Sequence, residues 1–310
     1  MANWCANALE IQCANNDVEL VIEKLFNGEF VNRTNEITVK MQKILLAGIA
    51  GILVPHVDTP PLLIQQVAAL NKDLFTDKRE NSEKAKAYSR FLKELMDGTL
   101  SPANYEPLDS LYQQTKLGQL WWGDIPKVRR LKLKELWRRC SLDFSGKFRS
   151  DISRWWSQSN EIKNTSKGGV VDMRVLAELP LKIMVNGFNG DALRCTNTYY
   201  LYGNEFGTKC SILNVNKLEN GNYSFDTPWS PPLGMLELLP QFVATQLNLS
   251  LNEVIDGGLV TANLYYFEGG NCFQGINEDS FSFFEAWDEE SNTSSSNMHP
   301  DIEKAFGNLD

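Results

Sequence analysis

Tyr223 to Pro232 reads Y-S-F-D-T-P-W-S-P-P. Alternation sends Phe225 and Thr227 to one side of a sheet and Asp226 to the other. Pro231 and Pro232 cannot donate to a ladder, yet they suit the first turn of a helix. The stretch therefore predicts a strand that ends abruptly and becomes a helix. Working outward, Ser211 to Lys217 is predicted to pair with Tyr223 to Thr227 as a hairpin around Glu219-Asn220-Gly221-Asn222, where Asn-Gly is a favoured turn pair. Downstream, Pro232 to Leu247 reads as the helix, and Ala262 to Phe267 and Asn271 to Ile276 read as further strands.

The N-terminus opens in the same style. Asn3 to Cys13 reads as a strand, and Asn15-Asn16-Asp17 offers cap residues for a helix from Val18 to Phe26. Between these two parts the signal is helical. Ile44 to Leu53, Pro61 to Leu74, Ser82 to Met96, Leu108 to Leu117 and Pro126 to Cys140 carry apolar residues at helical spacing, separated by punctuation such as Asp97-Gly98. Val170 to Val185 reads as strand with a proline bend, and Thr196 to Phe206 as a helix. Asn160 to Gly169, N-E-I-K-N-T-S-K-G-G, reads as a linker.

A single strand and helix cannot bury enough surface to stand alone, so the opening unit is expected to complete its sheet with strands more than 150 residues later. The expected class is α+β, with a ferredoxin-like antiparallel sheet and helices on one face. That domain would comprise residues 1–30 plus 165–287. A helical insertion would occupy 31–164, and 288–310 would form an acidic, partly disordered tail.

Several stretches carry a family likeness. Asn3 to Ile11 (N-W-C-A-N-A-L-E-I), Tyr265 to Gly275 (Y-Y-F-E-G-G-N-C-F-Q-G), Val171 to Arg174 (V-D-M-R) and Ile183 to Gly190 (I-M-V-N-G-F-N-G) resemble the YubB-like proteins of enterobacterial plasmids and phages. Ile44 to Leu53, Gly98 to Asn104 and Trp122-Gly123-Asp124-Ile125-Pro126 look like the insertion of that family's longer form. Phe206-Gly207-Thr208-Lys209-Cys210 departs from its F-G-T-K-W. The resemblance implies a ferredoxin-like domain, a mobile-element setting and no assigned reaction.

Composition narrows the function classes. At 310 residues and 43% hydrophobic content the chain can bury a sizeable core. Its longest apolar run, Ile44 to Val54, is broken by Gly48 and Gly51 and is too short to span a bilayer. No secretory signal is read at the N-terminus, so the cytoplasm is the expected location. Six scattered cysteines without C-x-x-C predict reduced thiols, with neither zinc nor a disulfide framework. No cofactor or metal is expected, and with two histidines, chemistry needing paired imidazoles is nearly excluded. The net charge of −9 conceals an asymmetry. Lys116 to Arg154 holds eleven Lys/Arg against four Asp/Glu, whereas Glu253 to Asp310 holds twelve acids against Lys304.

Three constellations bear on function. Lys127, Arg130, Lys134 and Arg138 recur at spacings that line one helix face, with Ile125, Val128, Leu136 and Cys140 expected opposite. With Trp121 and Trp122 they supply cations and flat rings, the two ingredients of single-strand binding. The plainer alternative is a solvated face over a tryptophan-rich core. Asp288, Glu289 and Glu290, after an aromatic run, could face a basic partner or serve only solubility. Trp4, Asp226, Trp229 and Glu268 are a candidate pocket, with the tryptophans as core or pocket wall. Asp226 and Glu268 form the one carboxylate pair open to acid and base roles. Gly187 to Gly190 is read as a tight turn and His56 as a loop residue.

These readings point to a non-enzymatic protein of a mobile element that binds a host macromolecule, plausibly inhibiting a defence or nucleic-acid-processing system. A host protein is the expected partner. The alternative is a nucleic-acid-binding protein using the basic helix from Lys127 to Arg139, and a carboxylate-dependent enzyme is the third.

Overall fold

The computed structural model describes residues 4–12, 15–74, 76–139, 151–158, 170–171, 173–187, 190, 192–208, 212–218, 222–228, 232–256, 260–267, 270–276 and 283–288. The elements run β1 (Trp4–Gln12), α1 (Asn16–Phe26), α2 (Glu29–Ile49), α3 (Pro61–Leu70), α4 (Glu83–Asp97), β2 (Thr99–Leu100), α5 (Tyr105–Thr115) and α6 (Lys127–Arg139). They continue with α7 (Ile152–Gln158), β3 (Val170–Val171), β4 (Leu179–Pro180), α8 (Leu181–Asn186), α9 (Thr198–Phe206), β5 (Ile212–Lys217) and β6 (Tyr223–Pro228). Last come α10 (Leu233–Leu247), α11 (Leu251–Asp256), β7 (Val260–Phe267), β8 (Gly270–Ile276) and β9 (Phe283–Asp288). Helix and strand are mixed, and the sheets are antiparallel.

Two compact units form. The first comprises Met1–Val31, Ser166–Ala177 and Tyr202–Asp310, and the second Asn32–Thr165 and Glu178–Leu201. In the first, seven strands take the order β3-β5-β6-β1-β7-β8-β9. β1 lies inside this sheet, pairing with β6 from Trp4↔Pro228 to Leu9↔Tyr223 and with β7 from Ala6↔Tyr266 to Gln12↔Val260. Alternation decides the faces. Cys5, Asn7 and Leu9 are buried while Trp4 and Ala6 are exposed, and on β6 Tyr223, Phe225 and Thr227 are buried.

α1 supplies the cover. The Asn15 side chain accepts from the Asp17 amide at 2.9 Å and so starts the helix two residues earlier than the apolar pattern alone suggests. Val18, Val21, Ile22, Leu25 and Phe26 then form one buried stripe. Phe26 stacks on Tyr223 with centroids 4.3 Å apart and tilts against Phe225 at 6.0 Å. α10 packs beside α1. Its start is set by Pro232, whose carbonyl accepts from Met235 N at 3.0 Å.

The second unit is built on α2. Its C-terminal half is buried on every side, with Ile44, Leu45, Leu46, Ala47 and Ile49 shielded from solvent, as expected of a helix threaded through a core. Gly48 allows the Tyr88 ring to approach, because a Cβ there would collide with Tyr88 Oη. The helix ends in a Schellman closure: Ile52 N donates to Ala47 O at 2.8 Å and Gly51 N to Gly48 O at 2.8 Å, with Gly51 at φ +71°.

The sequence pattern places the start of this helix at Ile44, whereas it begins at Glu29. The added turns bury polar side chains that an apolar pattern cannot register: Thr34, Thr38, Lys40, Gln42 and Lys43. Thr34 Oγ1 lies 2.6 Å from Tyr105 Oη, Thr38 Oγ1 donates to Thr34 O at 2.8 Å, and Lys40 Nζ donates to Asp109 at 2.7 Å.

A second difference lies at Val170 to Val185, expected as strand. Pro180 instead opens the short helix α8, which buries Leu181, Met184 and Val185 at i, i+3 and i+4. Glu178–Leu201 consequently groups with the helical unit rather than with the sheet, through β2 paired to β4 and Leu181 N donating to Gly98 O at 2.9 Å. Asn186, fully buried, fixes the following loop. Its amide donates to the carbonyls of Gly190, Leu193 and Cys195, and its Oδ1 accepts from Leu193 N at 2.9 Å. Gly187 sits at φ +82°, and its carbonyl accepts from Gly190 N at 3.4 Å.

Candidate functional site

α6 carries K-V-R-R-L-K-L-K-E-L-W-R-R and follows Pro126, whose carbonyl accepts from Arg129 and Arg130. Leu133 and Leu136 are its buried residues, and Arg129 turns inward to donate to Ala50 O at 2.9 Å, capping the end of α2. Lys127, Lys134 and Arg138 are exposed, as the spacing predicts, whereas Arg130 is half-buried. Val128, expected on the packed side, is instead 74% exposed, and Leu131 is 57% exposed. With 3.6 residues per turn, Leu131 falls beside Arg138, at the border of the arc of Lys127, Lys134 and Arg138, a position that the spacing alone could have assigned.

Of the five tryptophans around this helix, Trp155 and Trp156 are buried, and Trp137 packs on Trp155 with centroids 5.1 Å apart. Trp122 is half-buried against Trp156 at 6.3 Å. Trp121, in the segment entering α6, is 64% exposed. The tryptophans thus build the core under the helix and leave one ring outward. Cys140 lies outside the described residues.

Of the candidate pocket, Trp4 and Asp226 are placed. Trp4, expected as core or pocket wall, is 48% exposed and so is not core: it occupies the face of β1 opposite Cys5, Asn7 and Leu9. Asp226 pairs with Ala6 and Trp4 with Pro228, so the two are diagonal neighbours on that outer face. The Asp226 carboxylate accepts from Asn214 Nδ2 at 2.7 Å, and Asn214 stands at φ +54° where β5 bulges. Trp229 and Glu268 lie outside the described residues, so the proposed acid and base pair has one placed member. Asp288 ends β9, and Glu289 and Glu290 lie outside the described residues.

Other polar clusters have structural explanations. Arg33 bridges Glu36, Glu106 and Asp109, and Lys40 bridges Glu36 and Asp109. Burial works against the charges of Glu36 and Asp109, but bonds from Lys40 and Arg33 outweigh it and hold both carboxyls below their ordinary range. Lys43 donates to Trp156 O at 2.9 Å and lies 4.8 Å from that indole's centroid, and burial brings its pKa down to about 7. Burial likewise pushes the Cys5 thiol up to about 11. His56 is buried: Asp58 N donates to Nδ1 at 3.2 Å, which leaves Nε2 3.1 Å from Asn81 Oδ1. Among the described residues, no group of three or more His, Cys, Asp or Glu could hold a metal ion, and no helix is long and apolar enough to cross a membrane.

The fold, then, is a mixed helix-and-strand one, with a basic, partly aliphatic helix as its most distinctive exposed feature. Residues 36–210 match the model of a family described as a protein of unknown function (DUF1281), and the chain belongs to that family. This corrects the likeness drawn from the sequence, because no comparison indicates the YubB-like plasmid and phage proteins. A crystal structure of a protein api92 from Yersinia pseudotuberculosis, of the same family, is similar with a TM-score of 0.68 and 19% identity, over 92% of this chain and 98% of that one. At that identity the similarity speaks for the fold alone. No curated protein matches.

Proposed function

We propose that this chain is a non-enzymatic binding protein that takes another macromolecule on the exposed side of α6. One observation carries the reading: Lys127, Lys134 and Arg138 share that side with Leu131 and Val128, both more than half exposed. Solubility would be served by polar residues throughout, whereas aliphatics beside cations suit a surface that becomes covered. The expected setting of a plasmid or phage acting on a host defence system rested on the family likeness, and no observation on this chain bears on it. The test is retention of a macromolecule from cell extract by the intact chain and by a Lys127→Glu/Lys134→Glu/Arg138→Glu variant. Equal retention of the same species by both would refute the reading.

Nucleic acid is the second reading, favoured by the exposed Trp121 ring ahead of the cations. Three phosphate contacts would give affinity that falls with the logarithm of salt at a slope of about 2 to 3. Absence of binding at low ionic strength would remove it.

The strand order β5-β6-β1-β7 supports a ferredoxin-like core in the sheet unit, since α1 follows β1 and α10 joins β6 to β7 across β1. The free thiols of Cys5 and Cys195 support residence in a reducing compartment such as the cytoplasm.

A further inference from the structure

We infer that the partner of α6 is a protein segment that is acidic and amphipathic; this rests on the reading of α6 as a binding surface. At 3.6 residues per turn, the exposed arc presents Lys134, Lys127, Arg138, Leu131, Glu135 and Val128 in that order. Three exposed cations occupy one edge and aliphatics the middle, with Glu135 among them and half-buried Lys132 beyond Val128 on the far side.

A nucleic acid could use the cationic edge only. Aliphatic side chains offer little to phosphates or to base faces, and Glu135 would repel the backbone. A protein segment uses the whole arc: its apolar positions cover Leu131 and Val128, and its carboxylates meet Lys127, Lys134 and Arg138. The wrong partner is penalised by the same residues, because an apolar segment without acids leaves the cations desolvated and unpaired. The buried side of α6, through Leu133, Leu136 and the Arg129 cap on Ala50, holds the helix in place. The surface is therefore ordered before binding.

The experiment is fluorescence anisotropy with the full chain and three labelled probes: a short peptide repeating Leu at helical spacing with Glu between, its Glu→Gln counterpart, and oligo(dT). The Glu peptide should bind saturably and the Gln peptide should not. Leu131→Gln and the triple charge reversal should each weaken the Glu peptide about tenfold or more, a central hot-spot effect. Failure of the Glu peptide to bind, or binding unchanged by Leu131→Gln combined with Val128→Gln, overturns the inference. If instead oligo(dT) binds, is lost on charge reversal and ignores Leu131→Gln, the inference falls while α6 stands as a binding surface. If no probe binds, the inference falls, and the retention experiment decides separately whether α6 is a binding surface.

Discussion

The side-chain amide of Asn7, on a strand inside the sheet, donates to Thr227 Oγ1 at 3.0 Å across the β1 and β6 pair. Both residues are buried, and the same amide also reaches Cys5 O at 2.9 Å. Slipping β1 by one residue would send Asn7 to the outer face and Ala6 inward, so the bond fixes the register that joins the two ends of the chain. Asn7→Ala is expected to cost about 0.5–1.5 kcal/mol, as for the loss of a buried side-chain hydrogen bond. Denaturant unfolding of Asn7→Ala, Thr227→Val and the double variant checks it: strictly additive losses would show the pair uncoupled.

Gly48 and Tyr88 give a packing prediction. A methyl at 48 has no room beside the phenol, so Gly48→Ala is expected to destabilise by about 1–3 kcal/mol. Tyr88 Oη is buried and has no hydrogen-bond partner among the described residues, so Tyr88→Phe should be neutral or stabilising. The double variant should recover part of the Gly48→Ala loss, because ring carbons remain close to the added methyl. Thermal melts of the four proteins measure this.

Lys43 makes stability depend on alkaline pH. Its folded pKa near 7 lies below its ordinary value of 10.5, so between these values the unfolded chain binds more protons, and stability rises with pH. Below about 7 the lysine is charged in both states and the cost of burying that charge is fully present. Lys43→Met should flatten the rise between pH 7 and 10 and melt higher than the parent at pH 6. An unchanged pH profile in the variant would contradict this.

The Arg33, Glu36, Lys40 and Asp109 network works in the same direction as Lys43, but in the acid range. Both carboxyls sit below their ordinary values, so their contribution is complete above the unfolded range and is lost as pH falls through the folded values. Asp109→Asn should lower stability at pH 7 by about 1–2 kcal/mol, a figure reduced for partial exposure, and should flatten the acid limb of the stability curve. Chemical denaturation at stepped pH reads both effects.

Much of the fold can be read where local chemistry and burial agree. Asn15 caps α1, the Tyr223 to Thr227 alternation becomes β6, and Pro232 opens α10. The reading stops where tertiary partners satisfy polar groups. The first turns of α2 read as polar, yet Tyr105, Asp109 and Trp156 accept or return their hydrogen bonds inside the unit. α8 reads as strand because so short and mostly apolar a stretch cannot distinguish the two states until Pro180 is placed at a helix start. On α6 the spacing places the lysines, but it puts Val128 on the packed side only if apolarity is equated with burial, and Val128 is exposed.

By itself the sequence determined the opening strand, the hairpin of β5 and β6, the helical stretch between them and the clustering of cations at Lys127 to Arg139, since spacing, caps and prolines act over a few residues. Only the tertiary structure decided that β1 pairs with β6 and β7, that Lys43 and Asn186 are buried, and that Val128 and Leu131 face solvent. Those outcomes depend on what packs against each side chain, and the packing partners lie many residues away along the chain.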